Sequence, residues 1–343
     1  MSEPATAPGR YRIPTGERVS IIVPVRDEES KIGGLLEAIF AQSAYFDEVV
    51  ITDGASSDAT RNVIEMSRAK DARVVLVVKP GSQCGEGRNH SIRASLGDIL
   101  VFLDAGMVPE PRWLERVLGP FAADPCLEFV FGRMVFDTAA EGVGQTAFQQ
   151  IAGTMGYPGP ATWVNTVPAS GLRRRLWERW GQLPEAVVGE DLLLFKRLER
   201  EGIPCARVGE AWVRYFDFPR DVREVWWKWF VRVKVWTQFP EMRGDLVRRF
   251  GRVGAAVTPV VAGVALAFVD GRWVASLPLI LLARTFARAA RHGRYFRTFA
   301  RRPDHWLTSI AVLLTIDGAR IGGLLAGCVS SLRRRWSLRP TRA

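Results

Sequence analysis

Cysteine is scarce in this chain of 343 residues. Cys84, Cys126, Cys205 and Cys328 lie far apart and form no CxxC pair, and there are only three histidines. A structural zinc site is therefore not supported, and sparse thiols suit a reducing compartment. No GxGxxG fingerprint follows the first apolar run and no Walker phosphate loop occurs, which argues against a classical dinucleotide or P-loop NTPase site. The opening residues are polar and proline-bearing, without an apolar h-region; residues 1–16 read as a flexible leader and not as a signal peptide. Acidic residues are nearly missing from the end of the chain. Residues 271–343 carry 14 Lys/Arg against 2 Asp/Glu, leaving 33 basic and 34 acidic residues in the rest of a chain whose net charge is +11. The body is electrically ordinary and the basic excess sits in the tail. That pattern, with no RNA-binding motif, points away from nucleic acid and toward an anionic membrane surface.

What is present first is alternation. Val19–Val25, Glu48–Thr52, Val74–Val78 and Ile99–Leu103 are short apolar runs with strand character. Between them, 32–42, 59–69 and 86–94 read as helices; the first carries Ile32, Leu35, Leu36 and Ile39 at helical spacing, and Asp58 is suited to cap the second. This βαβαβαβ order predicts an α/β fold with a mostly parallel, doubly wound, Rossmann-like sheet. The run Ile99–Leu103 suits a strand buried on both faces. Asp104 follows it directly, and ligands in open α/β sheets bind at the carboxyl ends of strands. On spacing alone, Asp104 equally suits a turn.

Four segments then occur in series: Ser20–Glu28 with its Pro24-Val25-Arg26-Asp27, Val50–Thr60 with Asp53-Gly54-Ala55, Gly87-Arg88-Asn89, and Phe102–Gly106. Together they resemble the signature of family 2 glycosyltransferases of the GT-A fold, over about residues 18–214. The resemblance implies transfer of a sugar from a nucleotide-diphosphate sugar, UDP-linked by preference. It puts Pro24, Val25 and Asp27 or Glu28 along the nucleotide pocket and makes Asp53 the acceptor of a hydrogen bond from the base, which suits an acceptor-only carboxylate. Arg88, at a helix start, falls near the diphosphate. Asp104 matches the first acid of the DxD motif, which implies a divalent cation, Mg²⁺ or Mn²⁺.

Two departures bear on that cation. Gly106 stands where the second acid of DxD is expected, and Ala211–Phe216, where a histidine often completes the shell, offers Arg214 instead. Both remove ligands for a hard cation. The expectation is weakened metal binding, with Asp104 the one firm ligand and with Arg88 and Arg214 sharing the neutralisation of the leaving diphosphate.

The acceptor half resembles the same family through Ala169-Ser170-Gly171 and Gly189-Glu190-Asp191. Glu190 and Asp191 open an amphipathic helix over 192–201. A helix start favours a carboxylate, so Asp191 is expected to be ionised and to act as general base, with Glu190 as neighbour or alternative. No QxxRW motif follows, which implies transfer of a single sugar and no chain synthesis; inversion is the family's expectation.

Beyond about residue 216 the composition changes. Residues 221–236 place Val222, Val225, Trp226, Trp229, Phe230, Val233 and Trp236 on one helical stripe, with Trp227, Val231 and Val235 opposite and basic seams between. This suits an interfacial helix and linker over 217–250. Two apolar runs, 255–269 and 273–283, a seven-arginine stretch over 284–302, and a longer apolar segment, 306–332, follow. Asp317 and Arg320 interrupt the last one at pairing distance. Residues 251–343 are thus expected to be membrane-associated helices, with the catalytic domain, 17–216, on the cytoplasmic side of the cell membrane. The implied acceptor is a lipid-linked or membrane-proximal glycan. The competing readings are a catalytically weakened scaffold within a glycan-assembly complex, motivated by Gly106, and a nucleotidyltransferase, which Arg26–Glu29 fits poorly for lack of a glycine-rich basic loop.

Overall fold

A computed structural model describes residues 10–136, 146–159, 163–185, 189–237, 276–292 and 301–337, together with the single positions 251, 258 and 262. The chain divides into two compact units: Met1–Val135 with Trp163–Tyr215, and Phe136–Thr162 with Phe216–Ala343.

The first unit is the α/β unit. Strands β1 (Val19–Val25), β2 (Glu48–Asp53) and β4 (Ile99–Phe102) are buried at every position, as continuous apolar runs in a parallel sheet should be. β3 (Val74–Val78) completes the parallel set at the edge. Helix α1 (Ile32–Phe40) buries Ile32, Leu35, Leu36 and Ile39, the stripe read from the sequence. Helices α2 (Thr60–Lys70) and α3 (Cys84–Ala94) fill the next two crossovers. Asp58 accepts from the backbone of Thr60 at 3.0 Å, so it does serve the start of α2.

The second half of the unit departs from simple alternation. β5 (Met107–Pro109), α4 (Trp113–Ala123), β6 (Phe129–Phe136), β7 (Ser170–Arg173), α6 (Arg174–Trp180), α7 (Glu190–Arg200) and β8 (Cys205–Tyr215) follow, with helix α5 (Ala147–Gly156) of the second unit between β6 and β7. The eight strands run in the order β3-β2-β1-β4-β7-β6-β8-β5. β1, β2, β3 and β4 pair parallel, whereas β4–β7, β6–β7 and β5–β8 pair antiparallel. The sheet is thus parallel in its first half and antiparallel in its second. β2 and β4 lie on opposite sides of β1, so the topological switch falls between β1 and β4, where a ligand crevice opens at the strand ends. Beneath it lies a core that includes Ile22, Val50, Leu100, Phe102, Phe129 and Leu172.

The second unit is helical: α5, α8 (Val222–Trp236), α9 (Ser276–Ala289) and α10 (Pro303–Ser337). Asp221 caps α8 by accepting from Glu224 N–H at 2.7 Å. Val225, Trp229 and Val233, four residues apart, are its buried face, and they meet Ile151, Met155, Val312 and Ile316. Trp226 and Trp227 remain exposed, at 42% and 64%; the single stripe expected from the sequence is split between core and surface. Glycines bring α10 and α8 together: a Cβ at Gly318 would stand 3.1 Å from the Trp226 ring, and one at Gly323 would collide with the Phe230 carbonyl. Close approach over small residues is the usual way for helices to pack without a water-driven force between them. Asp317 is buried and pairs with Arg284 of α9, while Arg320, its expected partner, stands at 4.0 Å. His305–Ser330 is the one helical segment among the described residues that is long and apolar enough to cross a membrane. The apolar run 255–269 and the start of the next one lie outside the described residues, apart from 258 and 262.

Candidate active site

Two side chains from distant parts of the sequence come together through a third. Arg88, in the second turn of α3, is 1% exposed and reaches out from under the sheet rim. Its Nη2 donates to Asp104 Oδ1 at 2.9 Å, and its Nη1 donates to Glu190 Oε1 at 3.0 Å. The same Nη1 stands 3.9 Å from Asp191 Oδ1. Asp104 closes the β4 run, and Glu190 and Asp191 open α7 behind Gly189, whose φ of +90° turns the chain into the helix. One guanidinium thus gathers carboxylates from two segments into a single cluster. Arg88 Nε and Asp191 Oδ1 are buried and have no hydrogen-bond partner among the described residues.

The electrostatics follow from that packing. Burial works against the charge on Arg88, but Cys84 and the three carboxylates outweigh it and raise its pKa well above the ordinary value. Asp191 is pushed up to about 7, first by burial and then by Glu190, with Arg88 opposing both. The sequence reading expects an ionised Asp191 favoured by the helix start; one of its carboxylate oxygens is shut from solvent and Glu190 stands beside it, and together these outweigh that influence. Cys84, one turn before Arg88, is held well above the ordinary thiol range, chiefly by burial, with the neighbouring carboxylates adding to it. It is no thiolate nucleophile.

Beside the cluster is a cavity lined by Pro24, Val25, Arg26, Thr52, Ser82, Gln83, Cys84 and Gly87. It lies at the carboxyl ends of β1 and β2, against the start of α3. Pro24 and Val25 stand where the sequence reading put them. Asp27 and Glu28 do not line the cavity. Asp27, at φ +55°, accepts from Ser57 N–H at 2.7 Å and donates its own N–H to Ser56. Glu28 pairs with Lys31 at 2.6 Å, and its N–H donates to Thr60. The Asp27 carboxylate and the Glu28 N–H therefore fasten the loop after β1 to the segment after β2. Asp53 ends β2 next to the lining residue Thr52, but its carboxylate is buried and engaged: Oδ1 accepts from Ser56 N–H and Oγ–H, and Oδ2 accepts from Arg61 at 2.9 Å. Burial alone raises its pKa, yet those bonds outweigh it and the net shift is downward. Arg214 lies on β8 opposite Val108 of β5, half-buried, with its guanidinium 5.7 Å from the Trp212 ring centre.

Arg26, Ser82, Gln83 and Cys84 were not anticipated as lining residues. They flank the predicted strand ends and helix start, so position was the available signal. In the sequence Asn89 stands out only as the last residue of Gly87-Arg88-Asn89; in the fold it is fully buried and makes four hydrogen bonds.

Among the described residues no group of three or more Asp, Glu, His or Cys side chains is arranged to hold a metal ion. Arg88 occupies the centre of the carboxylate cluster. Asp104, at the end of the β4 run, remains 30% exposed. Asp191 is equally exposed but opens a helix, so Asp104 at the strand end is the acid taken as the ligand; the set fits a cation that arrives on phosphate oxygens and takes one carboxylate, as Mg²⁺ commonly does. It does not fit a cation caged by protein alone. The cluster's charge favours such an arrival, because one guanidinium against three carboxylates leaves no surplus positive charge for a diphosphate.

Comparison with known proteins gives four results. The profile described as glycosyl transferase family 2 matches residues 20–180. Glycosyltransferase AglE of Haloferax volcanii is 29% identical over 231 residues, 61% of this chain and 74% of that protein. Glucosyl-3-phosphoglycerate synthase of Mycolicibacterium paratuberculosis is 32% identical over 115 residues, so the match spans only 33% of that enzyme and 31% of this chain. A solved structure of the mannosyltransferase PcManGT from Pyrobaculum calidifontis, in complex with GDP-Man and Mn²⁺, is similar with a TM-score of 0.52 at 18% identity, covering 98% of this chain and 92% of that one. At that identity the likeness is one of fold, the GT-A arrangement of sheet and helices.

Proposed function

From the match of residues 20–180 to the profile of glycosyl transferase family 2, we propose that the chain moves one sugar from a nucleotide-diphosphate sugar, UDP-linked by preference, to a lipid-linked or membrane-proximal glycan, with inversion. The observation that carries this reading is the cluster itself: Arg88 bonds Asp104 and Glu190 at 2.9 and 3.0 Å beside the cavity at the ends of β1 and β2.

The chemistry divides among these residues. The cavity receives the nucleotide, with Arg26 at its mouth and the start of α3 facing the phosphates. Asp191, with a pKa of about 7, is matched to take a proton near neutrality. It removes the acceptor hydroxyl proton as that oxygen bonds to the anomeric carbon. The bond from that carbon to the diphosphate breaks on the opposite side, and its electron pair leaves with the diphosphate. Glu190 and Arg88 hold Asp191 in place. Asp104 would hold a divalent cation, which supplies counter-charge to the diphosphate. Arg88 cannot supply it alone, being already matched by carboxylates; the sequence reading that gave Arg88 this task gives way to one in which it orients the acids.

The membrane part rests on α10. Leu307, Leu314, Ile321, Leu325 and Val329 are exposed along one of its faces. From the first to the last they cover roughly 33 Å at a rise of about 1.5 Å per residue, the thickness of a bilayer's hydrocarbon. Arginines flank this apolar stretch in the sequence at 301–302 and 333–335, as at membrane boundaries.

The test is a screen of nucleotide sugars with and without Mg²⁺ or Mn²⁺, followed by Asp191→Asn. Loss of transfer by a factor of about 10² to 10⁴ with unchanged nucleotide affinity is expected. Full activity in Asp191→Asn removes the proposed base, and absence of turnover with every donor favours the scaffold reading.

A further inference from the structure

We propose that Asn89 and Gly85 are positioning residues that lock the carboxylates of α7 to the helix bordering the nucleotide cavity, so that the first two turns of α3 set the geometry of both halves of the reaction. The inference rests on Asp191 as the base and adds how its place is fixed.

The geometry is a clasp. A side-chain amide has two donor hydrogens and one oxygen that accepts twice, and Asn89 uses all of them while fully buried. Its Nδ2 donates to Leu183 O and to Glu185 Oε1, both at 2.9 Å. Its Oδ1 accepts from Leu183 N–H at 2.8 Å and from Trp177 Nε1–H at 2.9 Å. Both peptide groups of Leu183 are thus held by one side chain, in the loop leading to Glu190 and Asp191. A buried amide with no free valence leaves Leu183 and Glu185 no second arrangement at equal energy.

Gly85 closes the same joint from one turn earlier. A Cβ there would collide with the Pro184 carbonyl oxygen and come within 3.3 Å of Glu185 Cα, so α3 and the loop lie backbone to backbone. On the other side of that turn, a Cβ at Gly87 would stand 3.1 Å from Pro24 Cβ, in the wall of the cavity. One short stretch, Gly85 to Asn89, therefore touches the nucleotide cavity and the loop before the base, and between those contacts Arg88 bonds the carboxylates. Asn89 touches neither reacting atom. It acts through Leu183 and Glu185.

The experiment uses the full chain as wild type, Gly85→Ala, Asn89→Ala, Trp177→Phe and Asp191→Asn. Nucleotide affinity is read by calorimetry with UDP and GDP as probes, and turnover is read with the donor the wild type uses fastest, across pH. For Gly85→Ala and Asn89→Ala the expected result is a fall in kcat of about tenfold or more, as for small misplacement of a catalytic group, with nucleotide Kd within about twofold. Trp177→Phe, which deletes one of the four bonds, should fall between these and wild type. If Asn89→Ala fails to fold, the other two decide. The proposal is overturned if kcat stays within about twofold, or if Kd rises in step with the fall in kcat, which would make α3 a general support of the cavity. Unimpaired turnover in Asp191→Asn, by contrast, overturns the base and is read separately from the clasp.

Discussion

Each unit of this protein buries an ionic group, and the two do it with opposite balance. In the α/β unit a single cation, Arg88, is surrounded by Asp104, Glu190 and Asp191. In the helical unit a single acid, Asp317, faces Arg284 and Arg320. The first cluster leaves charge and hydrogen-bonding capacity over: Asp191 Oδ1 and Arg88 Nε are buried without hydrogen-bond partners among the described residues. Groups left over in this way are expensive, and they persist where a ligand or a proton transfer uses them. The second cluster ties one helix to the next, as a paired charge inside an apolar bundle is expected to do. Burial of charge alone does not mark a catalytic site; what marks it is the imbalance.

The comparison breaks first at Arg88. Replacing it with methionine keeps much of its volume and leaves three carboxylates facing one another. Breaking a buried ion pair from one side costs about 3–5 kcal/mol, so Arg88→Met should lower stability by that order in denaturant unfolding and abolish turnover. Arg88→Lys keeps the charge but loses the fork that reaches two acids at once; it should recover stability more than turnover. Equal recovery of both would mean that Arg88 supplies charge and no orientation.

A smaller effect is expected in the helical unit. Asp317→Ala strands Arg284 and should destabilise by about 3 kcal/mol or somewhat less. The double variant Asp317→Leu with Arg284→Leu should restore most of that, because an apolar pair replaces an ionic one without desolvation. The same rescue attempted at Arg88 has no counterpart, since three acids share one cation. If the double variant in the helical unit is as unstable as the single one, the ion pair there is not a simple tie.

Much of this was legible in the sequence, and the parts that were not share a cause. The four strands β1 to β4 and the helices between them were readable because a parallel sheet writes itself as continuous apolar runs separated by periodic ones. β5, β7 and β8 were missed: three and four residues are too short to carry a period, β7 is held by pairing with strands far away in sequence, and β8, though eleven residues long, is mostly half-exposed and shows no continuous apolar run. The site followed the same rule. Asp104 and Asp191 could be singled out from their positions at a strand end and a helix start. That Arg88 joins them, and that Asp27 ties the loop after β1 to the loop after β2, depends on side-chain reach across the fold. The charge state of Asp191 follows the same rule: a helix start is visible in sequence, but the burial of one carboxylate oxygen against Arg88 and Glu190 is not.

That charge state gives the last and smallest test. Asp191 has its pKa raised from 3.8 to about 7, first by burial and second by Glu190. Two slopes follow, with opposite signs. Turnover needs the ionised base, so it should climb as pH rises toward 7 and fall about tenfold per pH unit well below it. Stability goes the other way. Above pH 3.8 the unfolded chain has released this proton while the folded chain still holds it. The group's stabilising contribution is therefore complete below that value and is lost as pH rises through about 7. Glu190→Gln removes the second cause and leaves burial in place, so the acidic limb of the rate profile should move to lower pH without vanishing. The loss of stability toward neutral pH should shrink in the same variant. Movement of the limb to higher pH would mean that Glu190 carries the proton, and the roles of the two acids would then have to be exchanged.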